Sequence, residues 1–372
     1  MIHYGKQSID QDDINAVVDV LKSDFLTQGT KIIEFEDDLA NYCGVKYAKV
    51  LSNGTAALHL AYLAIGLRQG DVVWTTPNTF VATANAALYC GAKVDFVDIN
   101  PKTYNLSIEH LKDKLVQAKN NNQLPKLVVP VHFAGQSCEM QAIWELSKEY
   151  GFKVIEDACH ALGGEYLDKK VGCCKYSDMV VFSFHPVKMI TTGEGGAITT
   201  NDIQLDEKIA LLRSHGITKD RSKFNNESDG GWYYEQQALG FNYRLTDMQA
   251  ALGISQLKRL DDFVAKRRDI SKRYFDELPE KLSPYQHPDT NSSWHLFVIR
   301  VKNRKEVFNQ LKGQGIMTQV HYIPVNAQPF YNKKQLTDSG KFYQQCLSLP
   351  IFPDLTVQQQ GFVSAMLINS LN

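Results

Sequence analysis

Met179-Val180-Val181-Phe182-Ser183-Phe184-His185-Pro186-Val187-Lys188, closed by Thr191-Thr192-Gly193-Glu194-Gly195-Gly196, is the stretch that decides the fold. Its apolar first half reads as a strand buried on both faces, and it delivers a lysine and then a glycine-rich turn. A lysine held among apolar and hydroxyl side chains is desolvated, which lowers its pKa and frees its lone pair for a Schiff base with an aldehyde. Upstream, Lys153-Val154-Ile155-Glu156-Asp157-Ala158 is a second such strand and ends in a carboxylate. A lysine plus a carboxylate partner for a pyridinium nitrogen is the minimum protein apparatus for pyridoxal phosphate chemistry. Taken singly, each piece has a plainer reading, a solvated surface lysine and a cap or turn acid.

Working outward, apolar β-like runs alternate with helical stretches as far as about residue 213. The strand candidates are 48–51, 72–76, 93–97, 126–132, 153–157, 179–184 and 196–200, with helices at 56–65, 81–89, 108–119 and 140–150 between them. This rhythm predicts an α/β fold with a largely parallel sheet covered on both faces. An amphipathic helix, 10–21, and a second helix, 32–42, precede it. The polar, glycine-bearing segment 219–231 reads as a mobile surface loop, and 246–278 as one long helix bridging two domains. The remainder, with a strand at 294–301 and a helix at 305–313, reads as a small α+β domain. The expected division is 1–246 and 247–372.

With 372 residues, the chain is long enough for a sizeable core, and 40 basic against 41 acidic residues give a formal charge of −1. That balance offers no electrostatic handle for nucleic acid or an anionic membrane. No apolar run reaches the ~20 residues that span a bilayer, and Met1–Lys6 lacks the basic and apolar regions of a signal peptide. The seven cysteines are scattered, with Cys173 and Cys174 adjacent and no CxxC. They read as reduced thiols of a cytoplasmic protein, without metal-ligand spacing.

Ser52-Asn53-Gly54-Thr55-Ala56-Ala57 follows a short strand and opens a helix. Small residues there let the backbone approach an anion held by first-turn N–H groups and the helix dipole; taken alone, the segment reads more plainly as an N-cap with a glycine turn. No Walker lysine and no GxGxxG after a strand supports a nucleotide-hydrolase or dinucleotide reading. Ser183 can add a hydroxyl to the same phosphate. Phe80 can stack on an aromatic cofactor ring or fill a core, and His160 can reach a ring oxygen or support Asp157.

The ordered motifs Ser-Asn-Gly-Thr, Pro-x-x-Phe-x-Ala-Thr-Ala-Asn, Glu-Asp-Ala-x-His-Ala, Ser-Phe-His-x-x-Lys and Gly-Glu-Gly-Gly-Ala resemble the DegT/DnrJ/EryC1 sugar aminotransferases. Gly240–Asp247 and Val320-His321-Tyr322-Ile323-Pro324 extend the resemblance over nearly the whole chain. It implies the aspartate-aminotransferase fold (fold type I) and pyridoxal 5'-phosphate as cofactor. It also implies Lys188 as the Schiff-base lysine, Asp157 on the ring nitrogen, and Gly54, Thr55 and Ser183 on the phosphate. Asn242 would reach that phosphate from the second subunit of a homodimer. Tyr4, Asp24, Phe25, Leu26, Thr27, Val320, His321, Tyr322 and Ile323 match segments that contact a nucleotide sugar. Arg244 either receives the amino donor's carboxylate or forms a structural ion pair. Leu26–Gly29, Pro186–Thr192, Arg213–Gly216 and Gln319–Tyr322 favour members that pass an amino group from L-glutamate to C4 of a UDP-linked 4-keto-6-deoxy N-acetyl sugar of pseudaminic acid synthesis. Sister enzymes acting on dTDP-, GDP- or other nucleotide-linked keto sugars share several of these segments. A dehydratase of the same fold carries histidine in place of the lysine, which Lys188 argues against. A transcription regulator would need an added basic DNA-binding segment.

Overall fold

In the computed structural model, which describes residues 1–332 and 336–371, α1 (Gln11–Leu21) and α2 (Thr30–Cys43) precede β1 (Tyr47–Leu51). Then α3 (Gly54–Ala64), β2 (Val72–Thr75), α4 (Val81–Tyr89), β3 (Lys93–Phe96), α5 (Ile108–Asn120), β4 (Leu127–Val129), α6 (Met140–Tyr150) and β5 (Lys153–Asp157) alternate. A short hairpin, β6 (Glu165–Tyr166) and β7 (Lys169–Lys170), precedes β8 (Met179–Ser183), β9 (Gly196–Thr200) and α7 (Ile203–Leu212).

All seven strand candidates of the sequence enter one seven-stranded sheet, in the order β1-β9-β8-β5-β4-β2-β3. Only β9 runs antiparallel to its neighbours. Alternation along β8 explains the two cores: successive side chains of a strand point to opposite faces. Val180 and Phe182 pack with Phe35 and Leu39 of α2, whereas Val181 packs with Ala57 and Leu60 of α3. Both faces are therefore apolar, and the strands read as continuous rather than alternating runs.

After α7, β10 (Ile217–Thr218) pairs with β11 (Glu235–Gln236). The intervening segment, expected to be mobile, is tied to one side chain. The Glu235 carboxylate accepts the backbone N–H of Asn225 at 2.7 Å and of Asn226 at 2.8 Å, and these bonds hold its carboxyl down at about 2.

The expected single helix over 246–278 is two helices, α8 (Asp247–Lys258) and α9 (Leu260–Glu277). They break at Arg259, whose backbone leaves helical geometry (φ −103°, ψ 2°). Its guanidinium bonds Asp13 and Asp10 at the start of α1, the latter at 2.8 Å. The break thus answers a long-range ionic anchor, and no proline or glycine marks it in the sequence. Thr246 caps α8 reciprocally with Gln249, and Ala250, Ile254 and Leu257 join the α2 core.

From Ile270 on, α9 belongs to a C-terminal core. The elements there are β12 (Thr290–Asn291), which pairs with β6, β13 (Phe297–Arg300), α10 (Arg304–Gly313), α11 (Thr337–Gln345), β14 (Cys346–Leu349) and α12 (Val357–Ser370). β13 and β14 pair antiparallel. The first residues of the chain are fixed to this part. Ile2 N donates to Gly315 O and Met317 N to Ile2 O, both at 2.8 Å, and Ile351 N donates to Tyr4 O at 3.0 Å.

Candidate active site

The carboxyl ends of β5 and β8 and the turn after β1 open onto a cavity of about 1010 Å³, where ligands of open α/β sheets are generally found. Of the residues singled out by sequence, Tyr4, Gly54, Thr55, Phe80, Asp157, His160, Ser183, Lys188, Val320, His321, Tyr322 and Ile323 line it. Asp24, Phe25, Leu26 and Thr27 do not; they lie exposed on the turn between α1 and α2. Asn242 is exposed and Arg244 half-buried, and neither lines the cavity of its own chain.

The cavity is built from element ends. Asn53 caps α3, its side chain accepting the N–H of Ala56 at 2.8 Å. This leaves the Gly54 and Thr55 N–H groups of the first turn, which no helical carbonyl can reach, facing the cavity with the Ser183 hydroxyl. Glycine keeps these parts together: a Cβ on Gly54 would sit 3.0 Å from Ser183 Cβ, and one on Gly196 would sit 2.7 Å from the Asn53 carbonyl carbon and oxygen.

Asp157 ends β5 and is buried. Its Oδ2 accepts from Thr83 Oγ1 at 2.6 Å and its Oδ1 from Cys159 N at 3.2 Å. Lys188 sits on the tight turn after β8, where its N–H donates to His185 O at 2.8 Å. Burial pushes the Lys188 amine below its ordinary value, against the opposing charges of Cys159 and Asp157. That favours a free lone pair on Nζ.

A neutral aromatic wall faces these groups. His160 Nε2 and Tyr322 Oη are 2.9 Å apart, and the His160 ring lies 4.4 Å from that of His295. Burial, then the charges of Lys188 and His321, push His160 well below its ordinary value. His295 falls likewise, and His321 drops to about 3. The buried Nδ1 atoms of His160 and His295 have no protein partner among the described residues. Phe80 closes the mouth, 59% exposed, with its ring 6.3 Å from Tyr322.

This donor set fits pyridoxal phosphate: N–H groups and a hydroxyl for the phosphate, a carboxylate for the ring nitrogen, an amine for the aldehyde, and unsatisfied imidazole nitrogen beside them. The model of the DegT/DnrJ/EryC1/StrS aminotransferase family matches residues 7–367. The chain belongs to that family. A UDP-4-amino-4,6-dideoxy-N-acetyl-beta-L-altrosamine transaminase of Campylobacter jejuni is 43% identical, across 100% of this chain and 98% of the relative. Among solved structures, Helicobacter pylori PseC, an aminotransferase involved in pseudoaminic acid biosynthesis, superposes with a TM-score of 0.89 at 33% identity, covering 100% of this chain and 99% of that one. Bacillus subtilis NtdA with bound cofactor PMP matches with a TM-score of 0.83 at 29% identity, over 97% of this chain and 81% of that one. Family members are pyridoxal phosphate enzymes of fold type I, and the mostly parallel seven-stranded sheet agrees.

Sequence reasoning missed Thr83, Cys159 and His295, all on the cavity wall. Thr83 lies within a quoted motif, yet nothing local says that its hydroxyl meets a carboxylate 74 positions away. His295 follows Trp294 at the start of an apolar run and carries no local signal at all.

Proposed function

We propose that this aminotransferase moves the amino group of L-glutamate to C4 of a UDP-linked 4-keto-6-deoxy N-acetyl sugar, giving a 4-amino sugar for pseudaminic acid or a related glycan. The full-length identity of 43% with the Campylobacter jejuni transaminase carries this reading. The cavity supports it: about 1010 Å³ lies at the upper end of ordinary ligand pockets, room for a cofactor and a nucleotide sugar together.

When bound, the cofactor supplies an aldehyde to carry the amino group and a protonated ring to delocalise charge. The chain does the rest. Gly54, Thr55 and Ser183 bind the phosphate. Asp157 holds the proton on the ring nitrogen. Lys188 Nζ would be the positioned base that takes the proton from the donor's α-carbon and, once protonated, the acid that delivers it to the cofactor's aldehyde carbon. Phe80 and His160 flank the ring, while Tyr4 and Val320–Ile323 orient the sugar nucleotide. Incubating the purified protein with glutamate and a panel of nucleotide keto sugars tests the substrate. A dTDP- or GDP-linked sugar with a kcat/KM tenfold above that of the UDP-linked 4-keto sugar would overturn it.

The assembly belongs to the same proposal: a homodimer in which Asn242 completes the phosphate site of the other subunit and Asp24–Thr27 contact the sugar. The exposure of Asn242 outside its own cavity supports this. Mixed Lys188→Ala and Asn242→Asp subunits should regain activity; no recovery after demonstrated subunit exchange contradicts it. The two-domain division 1–246 and 247–372 is proposed with it. No helix among the described residues is long and apolar enough to cross a membrane. The seven cysteines are all free, which supports a cytoplasmic site of action.

A further inference from the structure

The Asp157 carboxylate is held from both sides, and one side extends into a chain of hydroxyls. Thr83 Oγ1 lies 2.6 Å from Asp157 Oδ2, 2.7 Å from Thr79 Oγ1 and 3.3 Å from Phe80 O. All three members are at least nine-tenths buried, at 2% exposure for Thr79, 1% for Thr83 and 5% for Asp157.

Each threonine hydroxyl has one hydrogen and two acceptor sites, and an ionised carboxylate only accepts. The short contact therefore takes the hydrogen of Thr83, leaving the carbonyl at 3.3 Å the lesser share. The hydrogen of Thr79 must then point to Thr83. This gives the chain a direction, Thr79 to Thr83 to Asp157, in which each bond polarises the next. Local structure places it: Thr83 lies in the first turn of α4, and Thr79 stands in the bend just before the N-cap, Phe80. Both residues are β-branched, and stiff χ1 torsions keep the hydroxyls aimed.

We propose that Thr79 and Thr83 are positioning residues for Asp157. They fix the plane of the carboxylate that meets the ring nitrogen and stabilise its charge without a competing cation, while the Cys159 N–H fixes the other oxygen. This rests on the reading of Asp157 as the ring-nitrogen partner. A charge-assisted hydrogen bond is roughly twice as strong as a neutral one, so its loss should be visible in cofactor binding.

The test is a double-mutant cycle on apoprotein, read by calorimetric titration with pyridoxamine 5'-phosphate and by the rate of the half-reaction with glutamate. Thr83→Val keeps the shape and removes the hydroxyl; affinity should fall about tenfold. Thr83→Ser keeps the hydroxyl and should stay within about threefold of the parent. In an Asp157→Asn background, Thr83→Val should change affinity less than about twofold, because the charge it served is gone. A merely structural threonine would cost the same factor in both backgrounds, and that result overturns the proposal. Thr79→Val, which leaves Thr83 in place, should weaken binding about threefold and vanish in the same background; it carries the test if Thr83→Val does not fold. If Asp157→Asn alone alters neither readout, the role of Asp157 falls first and this inference with it. An effective Asp157→Asn without coupling sinks the hydroxyl chain only.

Discussion

Replacing Gly196 with alanine adds one methyl group where β9 meets the turn that follows β1. An ideal Cβ there lies 2.7 Å from Asn53 C, Asn53 O and Gly54 N. Ordinary non-bonded contact begins near ~3.4 Å, so a gap of about 0.7 Å must open. No side chain can swing aside, because all three neighbours are backbone. β9 cannot retreat cheaply either: Gly196 is in register with Leu51 on one side and Ser183 on the other. The turn moves instead, and it carries the Gly54 and Thr55 N–H groups with it. Overpacking of this kind costs about 1–3 kcal/mol. Displacing N–H donors by most of an ångström forfeits much of a hydrogen bond to a charged group, itself worth about 1.5–3 kcal/mol. Gly196→Ala should therefore lower the thermal midpoint of the apoprotein by a few degrees and weaken pyridoxamine 5'-phosphate binding about tenfold in calorimetry. Gly231→Ala, where a Cβ meets nothing within 4 Å, is the control. A Gly196→Ala protein that melts with the parent and binds within twofold of it would refute the view that this glycine builds the phosphate cradle.

Two further outcomes follow from the charges in the cavity. Burial lowers the pKa of Lys188 below the ordinary 10.5, so the folded apoprotein releases that proton at lower pH than the unfolded chain does. Its stability should rise with pH between the lowered value and 10.5, a slope that Lys188→Met lacks; urea midpoints measured across that range check it, and parallel slopes contradict it. His321 is held at about 3 by burial and by the Lys188 charge, so its imidazole should show no titration between about pH 5 and 8 in nitrogen-15 NMR. A midpoint near 6.5 would mean that the wall is open to water.

The fold was legible because both faces of the sheet are covered. Continuous apolar runs such as Met179–Phe182 stand out against helices like α5 and α6, whose polar residues mark a solvent side. Strand order was not legible, since nothing in Gly196–Thr200 says that β9 runs antiparallel between β1 and β8. The break at Arg259 was hidden for a similar reason, its cause lying some 246 positions away at Asp13. α12 escaped notice although its Thr356–Gln359 capping box is written in the sequence. In the site, the residues that stand in recognisable motifs were readable, Lys188 and Asp157 above all, and both line the cavity. Residues that act through another residue, such as Thr83, or through burial alone, such as His295, depend on distances that only the folded chain supplies. Asp24–Thr27 and Asn242, identified by resemblance, stand outside the cavity of a single chain.

The central claim is that Lys188 holds the cofactor in this cavity. Borohydride reduction of the protein loaded with pyridoxal phosphate, followed by proteolysis and mass spectrometry, tests it most directly. The account predicts loss of visible absorbance and a single pyridoxyl-modified peptide carrying the adduct on Lys188, absent from Lys188→Ala protein that retains its fold. An adduct on another lysine, or none in protein that transaminates, would contradict it.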